Sequence, residues 1–146
     1  MGDIRPDGVM ESCLYATDLS TAEAFYTEVL GLSVITREAG RHVFFRCGEG
    51  VVLLFNPEHT STELTRVEGA RVPLHGARGA GHLAFRVDPA ELPQWRMRLD
   101  ATQVAIESEV QWPQGGASIY FRDPAGNSLE LVTPDTWRNG PVPKKT

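Results

Sequence analysis

The sequence predicts an α+β protein built as two βαβββ modules whose sheets form a cup-shaped half-barrel. Three observations predict it. Short segments with apolar residues at alternate positions recur along the chain, which is the periodicity of strands. After the first strand of each half comes one longer stretch with helical spacing. The whole plan then repeats, so the chain reads as an internal duplication.

The first half opens with ESCLYAT (11–17) as a strand. DLSTAEAFYTEVLGL (18–32) follows as a helix. Ser20 and Glu23 have the spacing of a capping box, in which each side chain satisfies an orphan amide near the helix start. Ala24, Phe25, Val29 and Leu30 recur at helical spacing, and Gly31 suits the left-handed residue that ends a helix. LSVITRE, HVFFRCG and VVLLFNP read as three strands, with Ala39-Gly40 and Gly48-Glu49-Gly50 as turns. The second half begins with GHLAFRV (81–87) as its strand. Asp88-Pro89-Ala90-Glu91 reads as the cap, first-turn proline and acid of a helix running toward Asp100. Pro93 lacks a donor and weakens the first turn. TQVAIES, ASIYFRD and NSLELVT complete the module, with Gly115-Gly116 and Asp123–Asn127 as turns. One domain therefore spans 8–137, as module 1 (8–57), a linker (58–79) and module 2 (80–137). A linker of that length reads as a long loop serving as a lid, a crossover or a subunit contact. The segment 138–146, rich in proline and lysine, is expected to fray.

Composition excludes several classes of function. The 146 residues include 14 basic and 19 acidic side chains, a net charge of −5. That balance carries no electrostatic footprint for nucleic acid. The apolar run VVLLF is too short to span a bilayer, and MGDIRPDGVM lacks the layout of a signal peptide. Cys13 and Cys47 make no disulfide framework. A cytoplasmic protein acting on a small molecule is expected. Cup-forming sheets leave strand edges to be covered, which points to a homodimer.

The period of two assigns faces. Leu14 and Ala16, then Leu83, Phe85 and Val87, then Leu129 and Leu131 suit the side that covers a helix. Glu11, Cys13 and Tyr15 take the opposite side, as do His82, Ala84 and Arg86, and Ser128, Glu130 and Val132. Glu130 is the anomaly, a carboxylate in an otherwise buried strand, and such a group is costly without a partner. The repeat supplies candidates. Glu11 and His82 each open a module, and Leu53 in VVLLFNP matches Glu130 in SLELVTP. In a half-barrel these positions converge. Two carboxylates and an imidazole in a shielded cavity call for a cation, and nitrogen and oxygen donors without thiolate suit Zn, Fe, Mn, Co or Ni. The competing reading of Glu130 is a carboxylate hydrogen-bonded to backbone or to Arg86 or Arg122.

ESCLYATDLSTAEAFYTEVLGL, GAGHLAFRV and YFRDPAGNSLELV together resemble the vicinal oxygen chelate superfamily, also called the glyoxalase/bleomycin resistance protein/extradiol dioxygenase superfamily. The resemblance covers about residues 8–137. It implies paired βαβββ modules around a divalent metal held by Glu11, His82 and Glu130. It also implies a metalloenzyme acting on a small oxygenated substrate: an isomerase, lyase, dioxygenase or thiol transferase. Glu11 stands where many members have His. Leu53 stands where glyoxalase-type members supply a fourth ligand, which counts against a standard glyoxalase I. The alternative is a metal-free drug-binding protein of the bleomycin-resistance type. As catalytic groups the candidates are Glu11 or Glu130 as base and His75, flanked by glycine in the linker, as general acid or base. Tyr15, Phe55, Arg86, Trp112 and Tyr120 are expected to line the substrate site, with Phe55 and Trp112 as apolar walls. Cys13 reads as a small buried hydrophobe, and His42 and His59 as surface residues.

Overall fold

Alternation along the strands decides the architecture. In the computed structural model, which describes residues 2–138, the chain forms two units, one ending at Gly79 and the other beginning at Ala80. The first contains β1 (Glu11–Tyr15), α1 (Leu19–Glu28), β2 (Ser33–Glu38), β3 (His42–Cys47), β4 (Gly50–Phe55), α2 (Pro57–Thr60), β5 (Thr65–Val67) and β6 (Ala70–Val72). The second contains β7 (His82–Arg86), a 3-10 turn at Pro89–Glu91, α3 (Leu92–Ala101), β8 (Ser108–Gln111), β9 (Ala117–Arg122), β10 (Ser128–Val132) and α4 (Asp135–Arg138). Each unit carries one βαβββ module, and the fold class is α+β.

The two four-stranded sheets share one connectivity, β1-β4-β3-β2 and β7-β10-β9-β8. In each, the first and last strands of the module pair in parallel and the remaining pairs are antiparallel. The register repeats as well. Glu11 lies opposite Val51, with Leu53 two residues further along β4. His82 lies opposite Ser128, with Glu130 two residues further along β10. Leu53 and Glu130 are therefore equivalent positions.

One face of each sheet packs the core. In the first unit Leu54 and Phe45 are fully buried, and Tyr26 of α1 stacks on Phe45 with ring centroids 5.5 Å apart. In the second, Ile119, Phe121, Leu129 and Leu131 are buried along with Leu99 of α3. Each such side chain stabilises its unit by roughly 2 kcal/mol, so the alternation of these strands holds their register.

Local structure departs from the sequence reading at five places. Helix α1 is capped by Asp18, not by Ser20: the Asp18 carboxylate accepts from the Thr21 amide at 3.1 Å and the Thr21 hydroxyl at 2.7 Å. A charged acceptor outcompetes a serine hydroxyl. Glu23 is left to meet Arg37 of β2, whose Nε donates at 2.9 Å. Asp88 caps the 3-10 turn through the Ala90 amide at 2.8 Å, and α3 starts only at Leu92 with Pro93 in its first turn, where an amide has no intrahelical partner to lose. The strand read in TQVAIES begins at Ser108, because Gln103 turns the chain at φ 60° and sheet pairing starts at Ser108 opposite Tyr120. The linker is not a structureless loop. Asn56 caps α2, accepting from the Glu58 amide at 3.1 Å. The β5–β6 hairpin turns at Glu68 (φ 48°) and Gly69 (φ 84°), the two positive dihedrals that a tight hairpin requires. Arg138 closes α4 rather than opening a frayed tail, and 139–146 lie outside the described residues. Among the described residues no helix is long and apolar enough to cross a membrane.

Candidate functional site

The Asp123–Asn127 turn sets the second unit's site. The buried Asp123 carboxylate accepts from the amides of Ala125 and Asn127 at 3.0 and 2.9 Å and from the Asn127 side chain at 2.9 Å. The Asn127 side-chain oxygen in turn accepts from the Gly81 amide at 2.8 Å. This ties the β9–β10 turn to the residue before β7, and the Ser128 amide donates to the Gly81 carbonyl at 2.9 Å. The Asp-Pro-X-Gly-Asn motif thus fixes the β7–β10 register, and with it the approach of His82 to Glu130.

His82 Nε2 stands 3.3 Å from Glu130 Oε1. The other atoms of the pair are already committed. His82 Nδ1 is 3.0 Å from the Ser128 carbonyl, which can only accept, so Nδ1 carries the proton. Glu130 Oε2 accepts from the Ser118 hydroxyl at 2.5 Å, and Ser118 Oγ accepts from the Trp112 indole N–H at 2.8 Å. Glu130 is 7% exposed. Arg122 pairs with Glu107 instead of Glu130, and among the described residues the ion-pair partner of Glu130 is His82. His82 Nε2 and Glu130 Oε1 face each other directly, an ion pair when the imidazole is protonated and two adjacent donor atoms when it is neutral.

Tyr120 lies opposite Glu130 in the register, and its ring stacks near His82 with centroids 6.4 Å apart. Burial first, and then the Glu130 charge, push the Tyr120 phenol up from its ordinary value, so it stays protonated and able to donate. Arg86 is exposed on the same face. Trp112 is more than an apolar wall, since its indole N–H is spent on Ser118.

The first unit assembles the other candidates. The Tyr15 hydroxyl and His75 Nδ1 are 2.7 Å apart, and the His75 ring meets Phe55 edge-on at 4.6 Å. The His75 amide also donates to the Thr60 carbonyl at 3.0 Å, so this part of the linker is anchored. Burial foremost, then the neighbouring Cys13 thiol, raise the Tyr15 phenol. The Tyr15 hydroxyl therefore engages His75 Nδ1 and leaves Nε2 as the free ring nitrogen of that contact. Glu11 is exposed at the start of β1. Leu53 is buried.

Three expectations are corrected here. His42 is not a surface residue: it is 9% exposed, stacks on Phe44 at 4.0 Å and accepts from Arg41 Nη1 at 2.6 Å. It opens the inner strand β3, between Glu38 of β2 and Phe55 of β4, and the rings of Phe44 and Phe55 cover it. Desolvation first, then the Arg41 charge, lower its pKa. His59 is half-buried and pairs with Glu63 at 2.9 Å. Cys13 is exposed rather than buried, because β1 is an edge strand. Sequence reasoning missed Ser118. The alternation of Ser118, Tyr120 and Arg122 with Ile119 and Phe121 was a signal that placed it on Glu130's face. Among the described residues no three His, Cys, Asp or Glu side chains are grouped closely enough to hold a metal. The donors grouped within one unit are His82 and Glu130, with nitrogen and oxygen chemistry that fits a borderline or hard divalent ion.

Comparison with known proteins finds a match over residues 8–131 to the Glyoxalase/Bleomycin resistance protein/Dioxygenase superfamily. The crystal structure of a lactoylglutathione lyase from Agrobacterium tumefaciens is 42% identical, covers 93% of this chain and 100% of its own, and superposes with a TM-score of 0.83. A metallothiol transferase FosB from Bacillus licheniformis is 28% identical over 86% of this chain and 75% of its own length. The fosfomycin resistance protein FosX from Listeria monocytogenes shares the fold, with a TM-score of 0.65 at 22% identity over 88% of this chain and 94% of its own.

Proposed function

The chain belongs to the glyoxalase/bleomycin resistance protein/dioxygenase superfamily, and from that premise we propose that it is a metal-dependent enzyme acting on a small oxygenated substrate. The observation that carries the proposal is the 3.3 Å approach of His82 Nε2 to Glu130 Oε1, with Nδ1 and Oε2 already hydrogen-bonded elsewhere. His82 and Glu130 supply two donors. Glu11 is the proposed third donor, on the ground that its position in β1 is equivalent to that of His82 in β7. A divalent ion bound there acts as a Lewis acid toward a substrate oxygen.

The chain's own residues do the rest. Tyr120, held protonated, donates to a substrate oxygen beside His82. Glu11 or Glu130 accepts a proton from substrate. His75, hydrogen-bonded to Tyr15 through Nδ1, serves as general base when neutral and as general acid when protonated. Phe55 provides an apolar wall, and Arg86 meets an anionic group. Leu53 limits the set to three donors. Of the reaction types this outline admits, lyase or thiol-transfer chemistry is supported best, because the names of the lyase and FosB relatives both involve a thiol compound.

The test is metal content after expression in medium supplemented with Zn, Mn, Fe, Co or Ni. Bound metal in the wild type that is lost in folded His82→Ala and Glu130→Ala supports the proposal. No metal under any of these conditions, with both variants folded, favours the metal-free binding protein instead.

A further inference from the structure

We propose that Trp112 and Ser118 are positioning residues for the donor pair, a role that rests on the metal-binding reading above. An indole N–H can only donate, so Ser118 Oγ is its acceptor at 2.8 Å. The single proton of the Ser118 hydroxyl then goes to Glu130 Oε2. Ser118 is 1% exposed, so bulk water does not compete for either bond. The hydrogen bonds run one way, from Trp112 to Ser118 to Glu130, and they engage one carboxylate oxygen only.

That polarity, together with the Tyr120 hydroxyl that also hydrogen-bonds Glu130, orients the carboxylate. The last torsion of a glutamate is broad and roughly two-fold, so a free Glu130 carboxylate would rotate. With Oε2 held by Ser118, Oε1 is the oxygen turned toward His82 Nε2. The register makes this possible, because Ser118 lies opposite Val132 and is a diagonal neighbour of Glu130 on the same face.

The indole is itself held. The Trp112 amide donates to the Gly116 carbonyl at 3.0 Å, and the Gly115 amide donates to the Trp112 carbonyl at 2.9 Å. Gly115 and Gly116 have φ of 111° and 91°, and a Cβ on Gly116 would fall 2.5 Å from the Thr136 amide nitrogen in α4. The support of Glu130 therefore continues from β10 through β9 to a turn packed against α4. Hydrogen-bonded partners that orient a ligand are worth about 10–100-fold in metal affinity.

The experiment titrates Zn²⁺ into the full chain against a chromophoric chelator, with the Trp112 indole resonance followed by NMR in the same samples. In the wild type Zn²⁺ should bind and shift that resonance. In Ser118→Ala affinity should fall about 10–100-fold and the indole should no longer respond to Zn²⁺. Ser118→Thr keeps a hydroxyl and should recover most of the affinity. Trp112→Phe should weaken binding by a smaller factor, and it carries the test should Ser118→Ala not fold. Wild-type affinity in both Ser118→Ala and Trp112→Phe would overturn the positioning role and leave the metal reading intact. Weaker binding that Ser118→Thr does not rescue, with the indole still responding, would overturn it as well. A wild-type protein that takes no Zn²⁺ would overturn the metal reading instead, and this role with it.

Discussion

On the face of the first unit's sheet that points away from its helix, Leu53 lies between Cys13 and Phe44. At the same point of the second unit's sheet, Glu130 lies between Ala84 and Tyr120. Both side chains are buried to a similar degree, 8% and 7% exposed. One register thus holds a leucine between a thiol and a phenyl ring and a carboxylate among an imidazole, a phenol and a hydroxyl. The β-ladder does not distinguish them, because its hydrogen bonds use only backbone. The neighbours on the same face decide which residue the position tolerates.

The most damaging way to break this comparison is Leu53→Glu. It buries a carboxylate where neither Cys13 nor Phe44 offers what Ser118 and His82 offer Glu130. The cost expected for an uncompensated buried charge is about 3–5 kcal/mol, a fall in Tm of roughly 10 °C for a chain of this size. A Tm within a degree or two of wild type in thermal unfolding would show that the neighbours matter little.

The reciprocal change, Glu130→Leu, copies the first unit's residue into the second. It removes the buried carboxylate but leaves the buried Ser118 hydroxyl without its acceptor, a cost of about 1–3 kcal/mol. Tm should therefore fall by several degrees, less than in Leu53→Glu, while Zn²⁺ binding disappears. Retained Zn²⁺ in this folded variant would remove Glu130 from the ligand set.

The turns offer a smaller contrast. Gly48 in the β3–β4 turn has φ 56° and open space where a Cβ would stand. Gly116 has φ 91° and the backbone of Thr136 in that space. Gly48→Ala should cost about 1 kcal/mol, the strain of a left-handed residue alone. Gly116→Ala should cost about 3 kcal/mol, since α4 must also move. Equal urea midpoints for the two variants would contradict the packing of α4 on this turn.

The smallest effect concerns pH. His42 is held neutral by burial and by Arg41, so its folded pKa lies below the unfolded one. As pH falls through the usual imidazole range, the unfolded chain takes up a proton that the folded chain declines. Stability contributed by His42 should be complete at pH 8 and should decline below neutrality. His42→Gln should flatten the dependence of Tm on pH between pH 8 and pH 5, and an unchanged slope would assign it to other groups.

Much of the fold was legible because long alternating strands announce their inner face. Leu54, Phe45, Phe121, Leu129 and Leu131 all lie where a period of two puts them. The β5 and β6 strands were missed because three residues each carry too little periodicity. The start of α1 was misplaced because Asp18 and Ser20 both suit a cap, and competition between two acceptors is energetic rather than positional. Glu130 and His82 stood out as polar residues on strands. Ser118 did not, since a serine is unremarkable until its partner across the sheet is known, and His42 gave no sign of burial because Phe44, Phe55 and Arg41, which cover it, meet it only in the folded sheet.

By itself the sequence determined the two modules, their faces and the oddity of a carboxylate in β10, because all three are properties of spacing along one strand. Only the tertiary structure decided which atoms meet. The Asn127 bond to Gly81 sets the register that brings His82 to Glu130. The cross-strand diagonal hands Glu130 its Ser118 proton. Periodicity specifies a side of the sheet, whereas hydrogen-bond direction arises between strands distant in the chain.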